Sequence, residues 1–468
     1  MVQHEQFFHE LNTKIPGLEV LHRPEDRLLY AHGCYPVEYK WLLQGPYPYL
    51  PSAVLRPKNS EEVGQILALS QRHRVPLIPY GGGSGIVGGS IPREGEVMVD
   101  VKLLRSFEIH HQNCTATGGA GLTGAEFENL LNREGYTCGH YPQSYQSAVL
   151  GGMVATRAIG TFSTKYGKMN DMVNSLEVAL PDGQLLQTHR APARSTGPEL
   201  KEIFLGSEGV YGIVTKVEMK IYPKAEKRLF EAYTFRCTHD GLEAVRLFMR
   251  KGIHPPVVRL YDEDEAAHKL EALGYPQGRA LLILGYEGLD EMVALEQRIC
   301  AGICAENGAE AHGEYGGLNW FETRFSTKRM LDYDLQAGGT ADAVEVAAPW
   351  DKIEAVYEQM RAALLPLCRE VHCHFSHFYH TGASVYVIFH AKVEGDHSTA
   401  AELYQRCLDL AIKTSLAAGG NVSHHHGVGT AKAAYLALEH GQAGVEIMRG
   451  LKNHLDPHGL INRGVLGL

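Results

Sequence analysis

Three consecutive histidines, His424, His425 and His426, followed at once by Gly427, are the residues best suited to acid–base chemistry. A neutral imidazole with an ordinary pKa of about 6.5 can take up or release a proton at neutral pH. Gly427 would let another group approach the rings closely. In an extended segment His424 and His426 face one way and His425 the other, so at least one of them would be only structural. We expect one or more of these histidines to carry protons in a reaction.

A second group of histidines, His372, His374, His377 and His380, occupies a short stretch of the chain. Because alternate residues of a strand share a face, His372 and His374 would lie side by side and could bind zinc. Metal sites need three or four convergent ligands, and no cysteine or acidic pattern accompanies these histidines. We therefore predict no metal site. The stretch is interpreted as a polar strand facing a substrate, with an ordinary, partly exposed strand as the alternative.

Arg259 is unusual for its surroundings, because it interrupts the apolar run Val257–Tyr261. Arginine is seldom buried in an apolar strand unless it has a partner. We expect Arg259, together with His374, to contact the substrate.

Two glycine-rich segments could bind an anion through bare backbone N–H groups. The first segment begins with Pro79, Tyr80, Gly81, Gly82, Gly83, Ser84 and Gly85, and the second runs from Pro142 through Ser147 to Gly151 and Gly152. Glycine lets the main chain approach a ligand closely, and successive amides form a concave anion site without lysine. Two such loops in one domain predict a long diphosphate cofactor between them.

The first segment also contains Gly83-Ser84-Gly85-Ile86-Val87-Gly88, which matches the dinucleotide pattern G-x-G-x-x-G. That pattern is meaningful only where a strand precedes it and a helix follows at once. A strand is predicted at Val75–Tyr80, but Pro92 and Gly95 follow, and Val97–Asp100 already resembles the next strand. We exclude a Rossmann unit and keep the anion-loop interpretation.

The bulk composition restricts the class of protein. The 468 residues suffice for two or more domains, and 44% hydrophobic with 21% charged residues is ordinary for a globular chain. A net charge of −10 argues against nucleic acid as a partner. No apolar run approaches the roughly 18 residues of a membrane span, and the N-terminal residues predict no signal peptide. Nine cysteines without a C-x-x-C pair predict reduced thiols and a cytoplasmic protein.

The pattern of elements changes near Pro223. Before it we predict helices at 61–74 and 126–135, a hairpin at 176–187 and a strand at 210–222. After it we predict helices at 239–252, 263–273, 291–307, 350–367 and 399–418, with strands at 257–261, 280–286, 344–348 and 384–390, and a helical tail at 445–455. Such alternation is typical of an antiparallel sheet covered by helices, an α+β module.

Three longer motifs resemble flavoproteins of the vanillyl-alcohol oxidase, or p-cresol methylhydroxylase (PCMH), type. They are Pro79–Gly89, Gly151–Arg157 with Tyr166-Gly167, and the segment 206–215. The resemblance implies an α+β fold with a PCMH-type FAD-binding domain at 1–222, a cap domain with an antiparallel sheet at 223–422, and a segment 423–468 that returns to the FAD domain. It also implies that Thr156, Arg157, Glu208, Gly209, Gly212 and Ile213 contact the cofactor. No histidine or cysteine lies in Gly81–Gly89, so we expect FAD to be held non-covalently.

Within that superfamily, four motifs are similar to those of alkyldihydroxyacetonephosphate synthases. They are Arg194–Pro198, Val258–Asp262, Ala348-Pro349-Trp350 and Ser423–Gly429. The resemblance implies the exchange of an acyl for an alkyl group on acyl-dihydroxyacetone phosphate through a flavin N5 adduct, without net redox change. It assigns catalysis to Tyr386, His424, His425, His426 and Arg329, with Arg324 competing for the last role.

One departure keeps a second function open. The synthases often carry Cys-Arg where this chain has Cys373-His374, and a histidine binds phosphate only when protonated. The alternatives are an FAD-dependent dehydrogenase or oxidase of a 2-hydroxy acid (glycolate or D-lactate type) or of an alcohol, and a flavin subunit of an electron-transfer complex. We expect a small-molecule or lipid-phosphate substrate, a homodimer and a cytoplasmic location, with peripheral membrane contact as an option.

Overall fold

The computed structural model describes residues 2–45, 47–326 and 328–468, and the side chains of Val2, Lys328 and Arg329 are outside the described part. The strands are β1 (Glu19–Leu21), β2 (Val54–Arg56), β3 (Leu77–Tyr80), β4 (Val97–Asp100), β5 (Phe107–His110), β6 (Thr115–Gly119), β7 (Tyr136–Thr137), β8 (Val173–Ala179), β9 (Leu185–Gln187), β10 (Ile213–Lys220), β11 (Tyr222–Pro223), β12 (Lys227–Phe235), β13 (Val257–Tyr261), β14 (Ala280–Gly288), β15 (Glu310–Ala311), β16 (Gly339–Pro349), β17 (Glu370–Tyr379) and β18 (Gly382–Lys392).

The helices lie between and around these strands. They are α1 (Val2–Lys14), α2 (Pro24–Leu29), α3 (Pro36–Gln44), α4 (Ser60–His73), α5 (Gly124–Arg133), α6 (Leu150–Ala155), α7 (Ser163–Tyr166), α8 (Met169–Met172), α9 (Lys201–Phe204), α10 (Thr238–Arg250), α11 (Glu263–Leu273), α12 (Asp290–Glu306), α13 (Tyr315–Thr323), α14 (Lys328–Asp334), α15 (Ile353–Leu364), α16 (His397–Ala418) and α17 (Leu436–Leu455). Among these helices, none combines the length and apolar character that crossing a bilayer requires.

Local capping explains where several helices begin. The side chain of Asn59 accepts a hydrogen bond from the backbone N–H of Glu62 and starts α4. Thr123 and Glu126 form a reciprocal capping box at α5. At α11 and α16 the side chains of Asp262 and Asp396 accept hydrogen bonds from the backbone N–H groups of Glu265 and Thr399. These caps satisfy N–H groups that would otherwise lack a partner in the first helical turn.

The N-terminal half of the chain contains two main sheets. One has the order β1-β2-β4-β3, with β2, β4 and β3 parallel to one another, and the other is antiparallel with the order β5-β6-β10-β8-β9. The element after β3 is the strand β4, with no helix between them. This arrangement confirms that the first glycine segment is a loop and not the turn of a Rossmann unit.

A seven-stranded antiparallel sheet dominates the second half, with the order β15-β12-β14-β13-β17-β18-β16. One face packs against helices α10, α12, α15 and α16 through residues such as Val346, Phe375, Val387, Met360 and Leu408, which belong to one buried cluster. The other face is directed toward the N-terminal half. The α+β class and the antiparallel sheet are therefore as predicted.

The C-terminal residues return to the first half of the molecule. The backbone N–H of Leu77 donates to the carbonyl of Leu460, and that of Asn462 donates to the carbonyl of Leu77. The side chain of Asn462 donates to the carbonyls of Gly89 and Glu208. The tail thereby joins the first glycine-rich segment, which follows β3, to the loop after α9 that contains Glu208 and Gly209. The exact domain boundaries stay a prediction.

Candidate active site

The face of the seven-stranded sheet that points away from its helices carries the polar residues of the candidate site. Glu345 on β16 lies opposite Tyr386 on β18, and Tyr386 lies opposite His374 on β17. His374 in turn lies opposite Tyr261 on β13, two residues after Arg259. Because side chains alternate along a strand, the apolar neighbours of these residues face the helices instead. Strand register alone therefore gathers Arg259, Glu345, His374 and Tyr386 on one surface.

The ring of Tyr386 lies between two imidazoles. The His374 ring stacks on one side with centroids 4.4 Å apart, and the His425 ring on the other at 5.9 Å. The hydroxyl of Tyr386 lies 3.5 Å from Nε2 of His426, whose ring meets it edge-on. Burial, followed by the charges of Asp342 and Glu345, raises the pKa of Tyr386, so the phenol keeps its proton at neutral pH.

Glu345 anchors the histidine segment, and this role was not predicted from the sequence. This fully buried carboxylate accepts hydrogen bonds from the backbone N–H groups of His425 (3.1 Å) and His426 (2.7 Å) and from the Ser423 hydroxyl. The ammonium of Lys432 lies 2.7 Å away, and Nδ1 of His426 lies 3.3 Å away. Burial alone would raise the pKa of Glu345, but the charges of His426 and Lys432 and the hydrogen bonds hold it well below its usual range. The sequence nevertheless contained a signal for a buried acid, because Glu345 is the single charged residue in the apolar run Val344–Ala348.

The three histidines converge, and the expectation that His425 faces away from the others is wrong. Nδ1 of His424 lies 2.8 Å from Nδ1 of His425, and both rings lie beside His377. The segment is not extended, because it bends around the Glu345 carboxylate. Burial lowers the pKa of His424 and His425 well below the usual value, which keeps both imidazoles neutral.

Arg259 has the partner that its position in an apolar strand suggested. Its guanidinium lies 2.8 Å from Nε2 of His374, and Nδ1 of His374 lies 2.8 Å from Glu265 on α11. Burial, together with the charge of Arg259, lowers the pKa of His374 to about 4. A neutral His374 accepts from Arg259 at Nε2 and donates to Glu265 at Nδ1. Among the described residues no carboxylate lies within ion-pair distance of Arg259, which leaves its charge available to an anion.

His377 joins the sheet to the N-terminal half. It occupies a bulge in β17 with a left-handed backbone (φ 52°), and its Nδ1 lies 2.7 Å from the hydroxyl of Ser163 on α7. Burial and the neighbouring His424 lower its pKa well below the usual value. A strained residue at such a junction is a common feature of functional sites.

Two predictions about this face remain open. Arg329 is the second residue of α14, but its side chain lies outside the described residues, so its catalytic role stays a prediction. Glu370, His372 and His390 each bring one ligand atom within 4.8 Å of the others. The absence of a metal site is therefore also still only a prediction. Arg324, the alternative to Arg329, has its guanidinium over the rings of Phe321 and Phe325.

The glycine-rich segments meet one another, as their proposed cofactor role requires. A side chain at Gly82 would overlap the carbonyl of Ser147, and one at Gly81 would come within 2.6 Å of Val149. A side chain at Gly209 would come within 2.8 Å of Pro79. The first glycine-rich segment, the second one, and the loop that contains Gly209 can approach one another this closely only because these glycines have no Cβ atom. They form a backbone-lined cradle of the kind that binds a diphosphate.

The other residues predicted to contact the cofactor have the following positions. Tyr80 is buried, and its hydroxyl lies 3.5 Å from the carbonyl of His32. Arg157, with φ 52°, donates to the carbonyl of Leu205. The hydroxyl of Ser147 donates to the carbonyl of Ser144, and that of Thr156 donates to the carbonyl of Gly152. Further members of the set are Pro142, Gly83, Ser84 and Gly85 in the loops, Gly151 in α6, Gly212 just before β10, and Ile213, its first residue.

Glu208 connects the cradle to the histidine segment. Its carboxylate accepts hydrogen bonds from the backbone N–H groups of Val428 (2.7 Å) and Gly429 (2.9 Å). Burial raises its pKa to about 7, while these hydrogen bonds oppose the rise. Because both carboxylate oxygens accept hydrogen bonds from the backbone, Glu208 holds the segment after the histidines in place, and its contact with a cofactor stays a prediction.

His140 supplies an independent sign of a missing polar partner. The residue is only 2% exposed, and neither ring nitrogen has a hydrogen-bond partner in the described structure. Burial lowers its pKa to about 4. It lies two residues before the second glycine-rich segment and is close enough to His377 for their charges to interact. A buried imidazole without partners, next to a backbone cradle, fits a polar cofactor such as FAD.

Comparisons with known proteins identify the family of the chain. The family model described as "FAD linked oxidases, C-terminal domain" matches residues 224–466, and one described as "FAD binding domain" matches residues 51–189. The chain belongs to the FAD-linked oxidase family. FAD is therefore its cofactor, and its binding at the glycine cradle stays a prediction.

Relatives of this chain include proteins of different description. The chain is 28% identical to the alkyldihydroxyacetonephosphate synthase of Caenorhabditis elegans, over 92% of this chain and 78% of that protein. It is 30% identical to an uncharacterized FAD-linked oxidoreductase, YgcU, of Escherichia coli (strain K12), over 89% of each. A solved alkyldihydroxyacetonephosphate synthase superposes with a TM-score of 0.82 at 23% identity, covering 98% of this chain and 84% of that one. The last likeness concerns the fold alone.

Proposed function

We propose that this flavoenzyme catalyses an exchange of the type expected of alkyldihydroxyacetonephosphate synthases, with a fatty alcohol replacing the fatty acid of an acylated dihydroxyacetone phosphate. The observation that supports it best is Tyr386, packed between two imidazoles with its hydroxyl directed at His426. The similarity of the Ser423–Gly429 motif to that of the synthases points the same way.

FAD, when bound, supplies an electron-accepting ring against which a substrate carbon can react. The chain supplies the proton handling. Nδ1 of His426 faces the Glu345 carboxylate, so its Nε2 is the atom that can accept a proton from the Tyr386 hydroxyl. Because Glu345 also holds two backbone N–H groups of the same segment, His426 keeps one orientation and one tautomer.

The exchange balances without an oxidant. The bond from the dihydroxyacetone carbon to the acyl oxygen breaks, and the fatty carboxylate leaves with its electron pair. The oxygen of the alcohol forms the new bond to that carbon, and the alcohol's proton passes to a neutral histidine of the site. Arg259, whose partner His374 is neutral, is the described cation on this face that can bind the phosphate or the departing carboxylate.

The same neutral His374 favours a second candidate, an oxidoreductase of a 2-hydroxy acid. A single guanidinium suffices for one carboxylate, whereas a phosphate dianion calls for more positive charge. In that reaction a histidine takes the hydroxyl proton, and the hydrogen on the same carbon, with its electron pair, would be accepted as hydride by the flavin when FAD is bound. The E. coli relative is described as an oxidoreductase, in keeping with this class.

An anaerobic absorbance titration of the holoenzyme distinguishes the two candidates. Acyl-dihydroxyacetone phosphate is added to one sample and a panel of D-2-hydroxy acids to another. Bleaching by the acyl phosphate, reversed by a fatty alcohol without any oxidant, supports the exchange reaction. Bleaching only by a hydroxy acid, reversed only by an electron acceptor, would replace it with the oxidoreductase. Free FAD with the same additions is the control.

A further inference from the structure

Tyr379 extends the histidine cluster by one more hydrogen bond. Its hydroxyl lies 2.8 Å from Nε2 of His424, and Nδ1 of His424 lies 2.8 Å from Nδ1 of His425. The ring of His425 stacks on that of Tyr386. We propose that Tyr379, His424 and His425 form a proton relay that connects the Tyr386 site to solvent at the junction between the sheet and the N-terminal half. The proposal rests on the proposed function only in that the reaction releases a proton, as both candidate reactions do.

The bulge at His377 is what brings Tyr379 into the cluster. Before the bulge, Cys373 and Phe375 face the helices, and His374 and Ser376 face the site. The register shifts between Ser376 and Phe378, so that Phe378 pairs with Ala383 and packs on the helix side. Tyr379 consequently faces the site, where an uninterrupted strand would turn it toward the helices. Bulges that redirect a side chain are a recognised feature near active sites.

The hydrogen bonds allow proton transfer between His425 and Tyr379. At the inner end, the ring of His426, whose Nε2 meets the Tyr386 hydroxyl, lies beside that of His425 with centroids 4.5 Å apart. In one state, Nδ1–H of His425 donates to Nδ1 of His424, and Nε2–H of His424 donates to the Tyr379 oxygen. A proton arriving at Nε2 of His425 displaces the next proton along each hydrogen bond, and Tyr379 releases its own hydroxyl proton to water. Each group then carries the same number of protons as before, with every hydrogen bond reversed. The reverse sequence delivers a proton to the site.

The surroundings suit a relay of neutral groups. Burial keeps both imidazoles neutral, so neither holds its proton permanently. Tyr379 is partly exposed, and burial together with the charge of the exposed Asp171 on α8 raises the pKa of its hydroxyl. Lys168, just before α8, acts on His424 from the same side. The outer end of the relay therefore lies near the exposed carboxylate of Asp171, which is in contact with water.

The test is Tyr379→Phe, which removes one hydroxyl and nothing else. The matched control is Tyr233→Phe, which removes a hydroxyl bonded to Glu231 elsewhere on the same sheet. Tyr379→Phe should retain FAD and its melting temperature but lose about a hundredfold in turnover, the lower end of what a positioned proton-transfer group contributes. Free imidazole added to the buffer should restore part of the rate, and the control should behave as wild type. Unchanged turnover, or a loss that imidazole does not restore, would overturn the relay.

A second measurement does not depend on any substrate. Nitrogen-15 NMR of labelled histidines reports the tautomers of His424 and His425 in the holoenzyme. Tyr379→Phe should change the signals of both rings, because the His424–His425 hydrogen bond couples them, and a response confined to His424 would contradict the relay. If the wild type turned over neither substrate class while both rings responded, the relay would stand and the proposed reaction would fall. His424→Gln, which disrupts the hydrogen bonds to both Tyr379 and His425, is a second variant. We expect it to show the same loss of turnover and the same partial restoration by imidazole.

Discussion

The imidazole of His374 lies flat against the ring of Tyr386, with planes 18° apart and centroids 4.4 Å apart. Both nitrogens of His374 are already engaged, one by Arg259 and the other by Glu265. This imidazole can therefore orient the tyrosine ring but cannot accept its proton. Proton transfer from the hydroxyl has to use His426, whose Nε2 lies 3.5 Å away.

Tyr386→Phe should abolish most turnover without loss of the cofactor. The variant keeps the ring stacked between the imidazoles and removes only the hydroxyl that meets His426. We expect a fall in kcat of about 10²–10⁴-fold, the usual contribution of a positioned acid–base group. Steady-state kinetics measures the fall, and the yellow flavin absorbance serves as the control for cofactor retention. An unaffected kcat would remove Tyr386 from the mechanism.

Glu345→Gln and Lys432→Met should each disturb the histidine segment. Removing one partner of a buried ion pair leaves the other charge uncompensated, at a cost of about 3–5 kcal/mol in the free energy of unfolding. Denaturant unfolding of the two single variants and the double variant measures their coupling. We expect the double variant to be less destabilised than the sum of the singles. Strict additivity would show that the pair does not act as a unit.

Arg259→Lys should weaken the binding of an anionic substrate more than it slows the reaction. An ammonium cannot reproduce the two-pronged hydrogen bonding of a guanidinium. We expect KM to rise by about 10- to 100-fold, the equivalent of one charge-assisted hydrogen bond, with a smaller change in kcat. Arg246→Lys, which alters a half-buried arginine paired with Glu243 on α10, is the matched control. A change confined to kcat would contradict a role in binding.

His140→Leu should have opposite effects on the protein with and without FAD. The variant removes two buried nitrogens that lack partners, so the cofactor-free protein should become more stable. If the imidazole contacts FAD, the stabilisation that added FAD confers should fall, as thermal unfolding at several FAD concentrations would show. Undiminished stabilisation by FAD would place His140 outside the cofactor site.

The same variant should also alter the pH dependence of stability. His140 has a folded-state pKa of about 4, below its unfolded value of about 6.5, so the unfolded state binds its proton first. Wild-type stability therefore loses up to about 1.4 kcal/mol per pH unit from this group as the pH falls from 6.5 to 4. The variant lacks this loss, and its advantage should grow across that window. Parallel pH profiles of the two proteins would contradict a neutral, buried His140.

Much of the fold was accessible from sequence pattern. The strand at Val257–Tyr261 and the helix at Glu263–Leu273 have the predicted bounds, because each combines strong periodicity with a capping or turn residue. The strand β17 was not delimited in advance. Its three histidines mask the alternation of apolar residues, and the bulge at His377 interrupts it.

The site was only partly accessible for a different reason. Arg259 was found because a lone charge in an apolar run is conspicuous, and the same signal in Val344–Ala348 would have found Glu345. The orientation of His425 could not be deduced, because it depends on hydrogen bonds to Glu345, 80 residues away in the chain. Such pairings follow from the tertiary fold, and local periodicity contains no information about them.

The bulge adds one residue to β17, and the side chain of that residue, His377, lies in the candidate site. Deleting that single residue would leave a regular ladder in which Phe378 still faced the helices and Tyr379 still faced the histidines, but the imidazole that contacts Ser163, His424 and His425 would be lost. A deletion here is therefore unlike the loop-length changes that related proteins commonly tolerate. When relatives are aligned, a gap at this position would signal the loss of the imidazole that joins the histidine segment to the N-terminal half, even where every neighbouring residue is identical.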